Sequence, residues 1–211
     1  MDFALHLRIP GWCERPELKI NGKPHHLASI ADGFVVIDRK YAPGDVIDLA
    51  LPMPVAAGHS SDGGIFLERG PLVFSFRPQE EWTSLFMPEF EITSPDFPMW
   101  AAATRSRWNF ALFLDEKAPL GQQVRVNVTP TTADPWLNPP ISLNVSARLV
   151  SDWDLVRPQG DNSDWFVTPP LPAAPRHLGP EETITLVPLG STHLRLTVFP
   201  SCSSFRAQEA G

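Results

Sequence analysis

Apolar and polar residues alternate from the start of the chain. Phe3, Leu5, Leu7 and Ile9 fall on one side of an extended backbone and Ala4, His6 and Arg8 on the other, up to Pro10-Gly11, which predicts a half-buried strand. Leu18 and Ile20 run into Asn21-Gly22, a pair suited to the two positive-φ positions of a type I′ hairpin. Phe34 to Ile37 follows Asp32-Gly33, and Ile47, Leu49 and Leu51 alternate with Asp48 and Ala50 after Pro43-Gly44-Asp45. Strand candidates spaced by about 10 to 14 residues have the rhythm of a sandwich or barrel.

Two apolar runs, Ile65 to Leu67 and Leu72 to Phe76, flank Arg69-Gly70-Pro71. From Arg77 to Arg107 no period is sustained, so this stretch is expected to link two sheets or wrap over one, with Trp100 to Thr104 as its one helical turn. Alternation returns in Trp108 to Leu114, in Val124, Val126 and Val128, and most cleanly in Ile141, Leu143, Val145, Ala147 and Leu149. Ile184 and Leu186, then Leu194, Leu196 and Val198, predict a closing hairpin around Pro188-Leu189-Gly190, and the tail from Ser203 is expected to fray. The reading is all-β: ten to twelve strands in two antiparallel β-sandwich, jelly-roll-like units with little helix, placed at residues 1–80 and 81–211.

Composition narrows this further. Twenty-four prolines in 211 residues leave few gaps long enough for a helix, since an interior proline costs about 3 kcal/mol there. Thirteen Phe and seven Trp supply the apolar surface that a disordered chain lacks. The net charge of −7, without a basic run, argues against nucleic acid and anionic membrane surfaces as partners. No apolar stretch approaches the roughly 20 residues of a membrane span and no basic leader precedes Phe3, which favours a cytoplasmic setting and two free thiols, Cys13 and Cys202.

The residues offer little catalytic chemistry. No G-x-S-x-G or H-E-x-x-H occurs, and His25-His26 lack further donors at metal spacing, so neither a catalytic nor a metal-binding residue is assigned. Glu80-Glu81, Asp115-Glu116 and the pair Asp152 and Asp154 have the proximity that glycoside hydrolysis requires of two carboxylates, but also suit solvated acidic turns. Trp136, Asp152-Trp153 and Asp164-Trp165 have the composition of a sugar-stacking platform, in which indole faces meet a sugar ring and acceptors meet its hydroxyls. Core packing of the same indoles is the competing account.

Seven stretches in order carry a family resemblance. They are Leu7-Arg8-Ile9-Pro10-Gly11-Trp12, Ile20-Asn21-Gly22, Pro43 to Leu49, Leu51 to Val55, Glu68 to Phe74, Trp108 to Leu112, and Val187 to Pro200. Together they resemble the carboxy-terminal β region of the bacterial-type β-L-arabinofuranosidase-like glycoside hydrolases, family 127 and its relatives. The resemblance implies a catalytic (α/α) barrel elsewhere, bearing the cysteine nucleophile, the acid/base glutamate and the zinc-binding cysteines. It implies no catalytic residue and no cofactor in this chain. Its expected role is an accessory module packed on its own barrel domain or on an upstream-encoded chain, with a homodimer or a carbohydrate as further partners; the alternative is a free-standing carbohydrate-binding module using exposed Trp residues. The first strand is then expected to continue from upstream residues and to leave an open edge or an apolar patch near Phe3 to Ile9.

Overall fold

The computed structural model describes residues 2–27, 30–85, 96–115, 117–157 and 166–202. They form a nearly all-β structure with two compact units: Met1–Pro54 with Arg69–Pro71, and Val55–Glu68 with Leu72–Gly211. The division falls earlier than the boundary at residue 80 expected from the sequence. Val55–His59, Ile65–Arg69 and Leu72–Phe76 belong to the large sheet formed with strands from the second half of the chain, so strand pairing overrides the sequence interval.

In the first unit, β1 (Asp2–Arg8) pairs antiparallel with β4 (Phe34–Lys40), matching Leu5 with Ile37 and Leu7 with Val35. A three-stranded sheet runs β3 (Lys23–His25), β2 (Glu17–Ile20), β5 (Ile47–Ala50). Ile9, Cys13, Leu18, Ile20, Val35 and Ile37 form the buried core, with Leu5, Leu7 and Trp12 packed partly buried against it. Between β2 and β3, Asn21 and Gly22 take φ values of 51° and 75°, the left-handed pair that a two-residue hairpin of this twist needs.

Two sequence motifs meet here. Asn21 Nδ2 donates to Asp45 Oδ1 at 2.8 Å, while Asn21 Oδ1 accepts from the Val46 N–H at 2.8 Å. Asp45 Oδ2 also accepts from Ala42 N–H (3.0 Å) and Arg39 Nη2 (3.2 Å). The Asn21 amide, followed by the Ala42 N–H and the Arg39 charge, holds the Asp45 carboxyl below its ordinary range.

The second unit is built on a curled seven-stranded sheet. Its path is β11 (Phe110–Leu112), β13 (Ile141–Val150), β14 (Leu178–Pro188), β8 (Leu72–Phe76), β7 (Ile65–Arg69), β6 (Val55–His59), with β12 (Val124–Val128) also on β13. Leu143, Val145, Ala147 and Val150 turn inward from β13 to meet Phe74, Leu112, Leu186 and Phe199 in one core. A separate two-stranded ribbon pairs β9 (Glu81–Leu85) with β10 (Met99–Ala103).

Two local expectations fail. Trp100 to Thr104 is no helical turn: Met99–Ala103 is strand β10, because pairing with Glu81–Leu85 outweighs the helical preference of its three alanines. The α-helix among the described residues is the single turn α1 (Leu120–Gln123). Nor does the chain close on a hairpin. The edge of β14 next to the expected turn, residues 186–188, is taken by β8, so the backbone beyond it bridges elsewhere, Leu196 to Phe76 and Phe199 to Ile65.

The core sets a stability contrast. Leu143 is fully buried on β13, while Val128 on the paired strand is 70% exposed. Leu143→Ala is expected to cost about 2 to 5 kcal/mol and Val128→Ala no more than about 0.5 kcal/mol, read from urea denaturation midpoints.

Candidate functional site

The sequence-derived sugar candidates do not form one platform. Trp136 is exposed, and a side-chain carbon placed on Gly190 would stand 3.2 Å from its ring, so a larger residue there would shift the indole by a few tenths of an ångström. Trp153 is buried, 4.9 Å from Trp108 between ring centroids, and its Nε1–H points to the Pro169 carbonyl at 3.5 Å. Asn109 holds the same loop by donating to the Val150 and Trp153 carbonyls at 2.7 and 2.8 Å. The Trp153 face is thus spent on packing. Asp152 is exposed, 3.9 Å from His177. Asp164 and Trp165 lie outside the described residues.

The carboxylate pairs separate as well. Asp154 Oδ1 accepts from the Leu155 N–H, and Asp115 Oδ1 from the Lys117 N–H, as in ordinary turns; Glu116 lies outside the described residues. Glu81 faces Arg105 at 3.6 Å on an exposed surface. Among the described residues no group of three or more His, Cys, Asp or Glu side chains gathers as a metal site. Cys13 and Cys202 are both buried, and the Cys202 thiol donates to the Leu112 carbonyl at 3.2 Å.

Glu80 behaves differently from these acids. It lies just before β9, and its side chain is 13% exposed. Oε1 accepts from the backbone N–H groups of His193 (3.2 Å) and Leu194 (3.0 Å). Oε2 accepts from Trp82 Nε1–H at 3.1 Å and lies 3.2 Å from His193 Nδ1. Desolvation pushes the Glu80 carboxyl up, but the hydrogen bonds from Leu194, Trp82 and His193 together outweigh it and hold the group below its ordinary value. The Trp82 and His193 rings meet edge to face with centroids 4.9 Å apart.

Nearby, Arg77 Nη1 donates to the Ser191 and Leu137 carbonyls at 3.2 and 3.3 Å. An open concavity of about 490 Å³ is lined by Phe76, Arg77, Arg107, Phe110, Glu182 and Thr185 among others. Arg107 is engaged there in a two-pronged pair with Glu182 at 2.6 and 2.9 Å. Such a bidentate pair uses the planar fork that would otherwise meet an anionic ligand.

Sequence reasoning named Glu80 only as one of two adjacent acids and passed over Trp82 and His193. Glu80 and His193 are 113 positions apart. The sole local signal was the Glu80-Glu81-Trp82 spacing, which places residues 80 and 82 on one side of an extended chain.

Residues 1–53 match the family model described as the middle domain of family GH127, β-L-arabinofuranosidase. In fold the chain is similar to a GH127 β-L-arabinofuranosidase from Geobacillus stearothermophilus T6, at 18% identity and a TM-score of 0.57, covering 95% of this chain and 27% of that one. It is similar to a glycoside hydrolase at 19% identity and a TM-score of 0.53, covering 95% and 28% of the two chains. A further GH127 β-arabinofuranosidase gives 18% identity and a TM-score of 0.55, with 97% and 28% covered. No curated protein matches the sequence. The chain resembles the β region of these enzymes and spans little more than a quarter of their length.

Glu80 gives a pH prediction. A carboxyl whose folded pKa is lowered contributes stability above its unfolded pKa and loses it as pH falls through the folded value. Glu80→Gln should cost about 1 to 3 kcal/mol near neutrality, where charged hydrogen bonds are lost. The gap in melting temperature between wild type and variant should shrink as pH drops below the ordinary carboxylate range; thermal melts from pH 7 to pH 3 check it.

Proposed function

We propose that this chain is the non-catalytic β region of a glycoside hydrolase resembling the β-L-arabinofuranosidases, serving as the scaffold on which a catalytic (α/α) barrel packs. Within the stretch that matches the middle-domain description, one surface carries the reading. Among the described residues β1 pairs with β4 alone, so its other edge is open. On the solvent face of the pair, Phe34 and Val36 lie opposite Arg8 and His6, with Val36 51% exposed. Phe3, on the other face, is exposed as well and stacks on Tyr41 at 4.5 Å. An open strand edge beside exposed apolar side chains is the kind of surface that proteins normally cover.

In this reading the nucleophile, the acid/base group and zinc belong to the barrel. The present chain has no gathered donor set among its described residues to hold a metal, and its two thiols are buried. Its own work is mechanical: a β-sheet core of high packing density resists deformation and fixes what is attached to it. A second copy of the chain is the other occupant that the open edge would accept.

Assayed alone, the chain is expected to release no p-nitrophenol from p-nitrophenyl arabinofuranosides above the buffer rate. Co-expressed with the helical-barrel polypeptide from the same genome, it should co-purify as a heteromeric complex, and Val36→Asp should abolish that complex without loss of the folded chain. Turnover by the chain alone that disappears on changing one carboxylate would overturn the proposal. So would a homodimer through Val36 that excludes the barrel.

A further inference from the structure

The β9–β10 ribbon presents two indoles that no core uses. In its register Trp82 lies opposite Ala102 and Trp100 opposite Ser84, so Trp82, Ser84, Trp100 and Ala102 share one face. The two indoles form a diagonal cross-strand pair, an arrangement in which the residues are about 7 to 8 Å apart and long aromatic side chains reach each other. Trp82 is 45% exposed and Trp100 59%. These are large apolar areas to leave in water, and the chain holds one of them in a fixed attitude.

Glu80 does the holding. Its Oε2 takes the Trp82 Nε1–H, and the same oxygen faces His193 Nδ1. Against an ionised carboxylate a neutral imidazole carries its proton on Nδ1, which leaves Nε2 as a bare acceptor. The His193 side chain is 62% exposed, so that acceptor is open to solvent beside the Trp82 ring. The carboxylate itself is consumed by four donors and offers no uncompensated charge to a ligand.

We infer that Trp82, Trp100 and His193 form a saccharide-binding platform oriented by Glu80. The two indoles stack on the apolar C–H faces of neutral sugar rings, and His193 Nε2 accepts a hydroxyl proton from the ring lying on Trp82. This pairing of flat apolar surface with an adjoining hydroxyl acceptor is what a sugar requires. An anionic ligand would find no uncommitted cation in the set. Glu80 is a positioning residue: it fixes the indole attitude and the imidazole tautomer before ligand arrives, reducing the ordering cost of binding.

The test titrates the full chain with neutral oligosaccharides, arabino-, xylo- and cello-oligosaccharides of two to six units, by calorimetry and by ¹H–¹⁵N NMR. Expected are shifts of the Trp82 and Trp100 indole N–H signals and, with Trp82→Ala or Trp100→Ala, an affinity loss of about tenfold, the worth of one aromatic stack. His193→Ala should weaken binding by about fivefold, as one net hydrogen bond is lost. Glu80→Gln should weaken binding and move the His193 ¹⁵N shifts away from the Nδ1–H tautomer, a change that general loosening would not produce. Trp136→Ala should leave affinity unchanged. No indole shift with any of these sugars at tens of millimolar overturns the inference. So does binding lost through Trp136→Ala and retained in Trp82→Ala, or self-association through the ribbon without sugar binding. None of these outcomes bears on whether the chain packs against a barrel, because that proposal rests on the β1–β4 surface.

Discussion

Strand β13 is the member on which the second unit depends. Its ten residues pair on one side with β14, while β12 and β11 divide the other side, meeting residues 141–145 and 147–149 in turn. A one-residue slip would send Leu143, Val145 and Ala147 to the outer face and expose what is now fully buried. The strict alternation of that stretch therefore sets the register of three neighbours at once. Phe74, Leu112, Leu186 and Phe199 reach the core because β13 presents the surface on which they converge.

The same alternation explains which parts of the fold are legible in the sequence. Half-buried strands announce themselves by period two, and Asn21-Gly22 announces its turn by the φ values it must adopt. Partner choice is not written locally. That Asn21 of one turn would grip Asp45 of another could not be read from either motif, although both were visible. Leu194, Leu196 and Val198 look like the second arm of a hairpin, but Leu196 bonds to Phe76 in both directions, at 2.8 and 3.0 Å, since β8 already pairs with residues 186–188 at the end of β14. The unit boundary shifted for the same reason, as strands distant in sequence claim residues 55–76 for the large sheet.

At the level of side chains the sequence distinguishes tryptophans poorly. Trp153 and Trp136 have the same chemistry and both flank acidic or amide residues, yet one is 4% exposed and the other 68%. What separates them is Asn109, 44 residues from Trp153, which ties down the loop carrying it over Trp108. Trp82 and Trp100 gave no periodic signal because the ribbon that carries them has no buried face demanding alternation. A strand pair stabilised by backbone ladder and side-chain anchors can be polar, apolar or mixed on either side, so pattern loses its diagnostic value there.

That ribbon is attached by an unusual means, and the attachment bears on what it can do. Among the described residues it pairs with no strand of the large sheet. The chain leading into it is instead fastened rung by rung to the segment 191–197: Ser75 to Thr197 at 2.8 Å, Phe76 to Leu196, Arg77 to the Ser191 carbonyl, Glu80 to His193 and Leu194. The inner rungs, Ser75 and Phe76, border the core, while the outer rungs are charged groups at its rim. Charge-assisted bonds hold geometry firmly when several converge on one carboxylate, as they do on Glu80. The arrangement lets the exposed face of β9–β10 vary without disturbing the packing beneath it, because no side chain on that face supports the core. A surface anchored from behind and free of structural duty in front is where a fold can acquire a binding role without loss of stability.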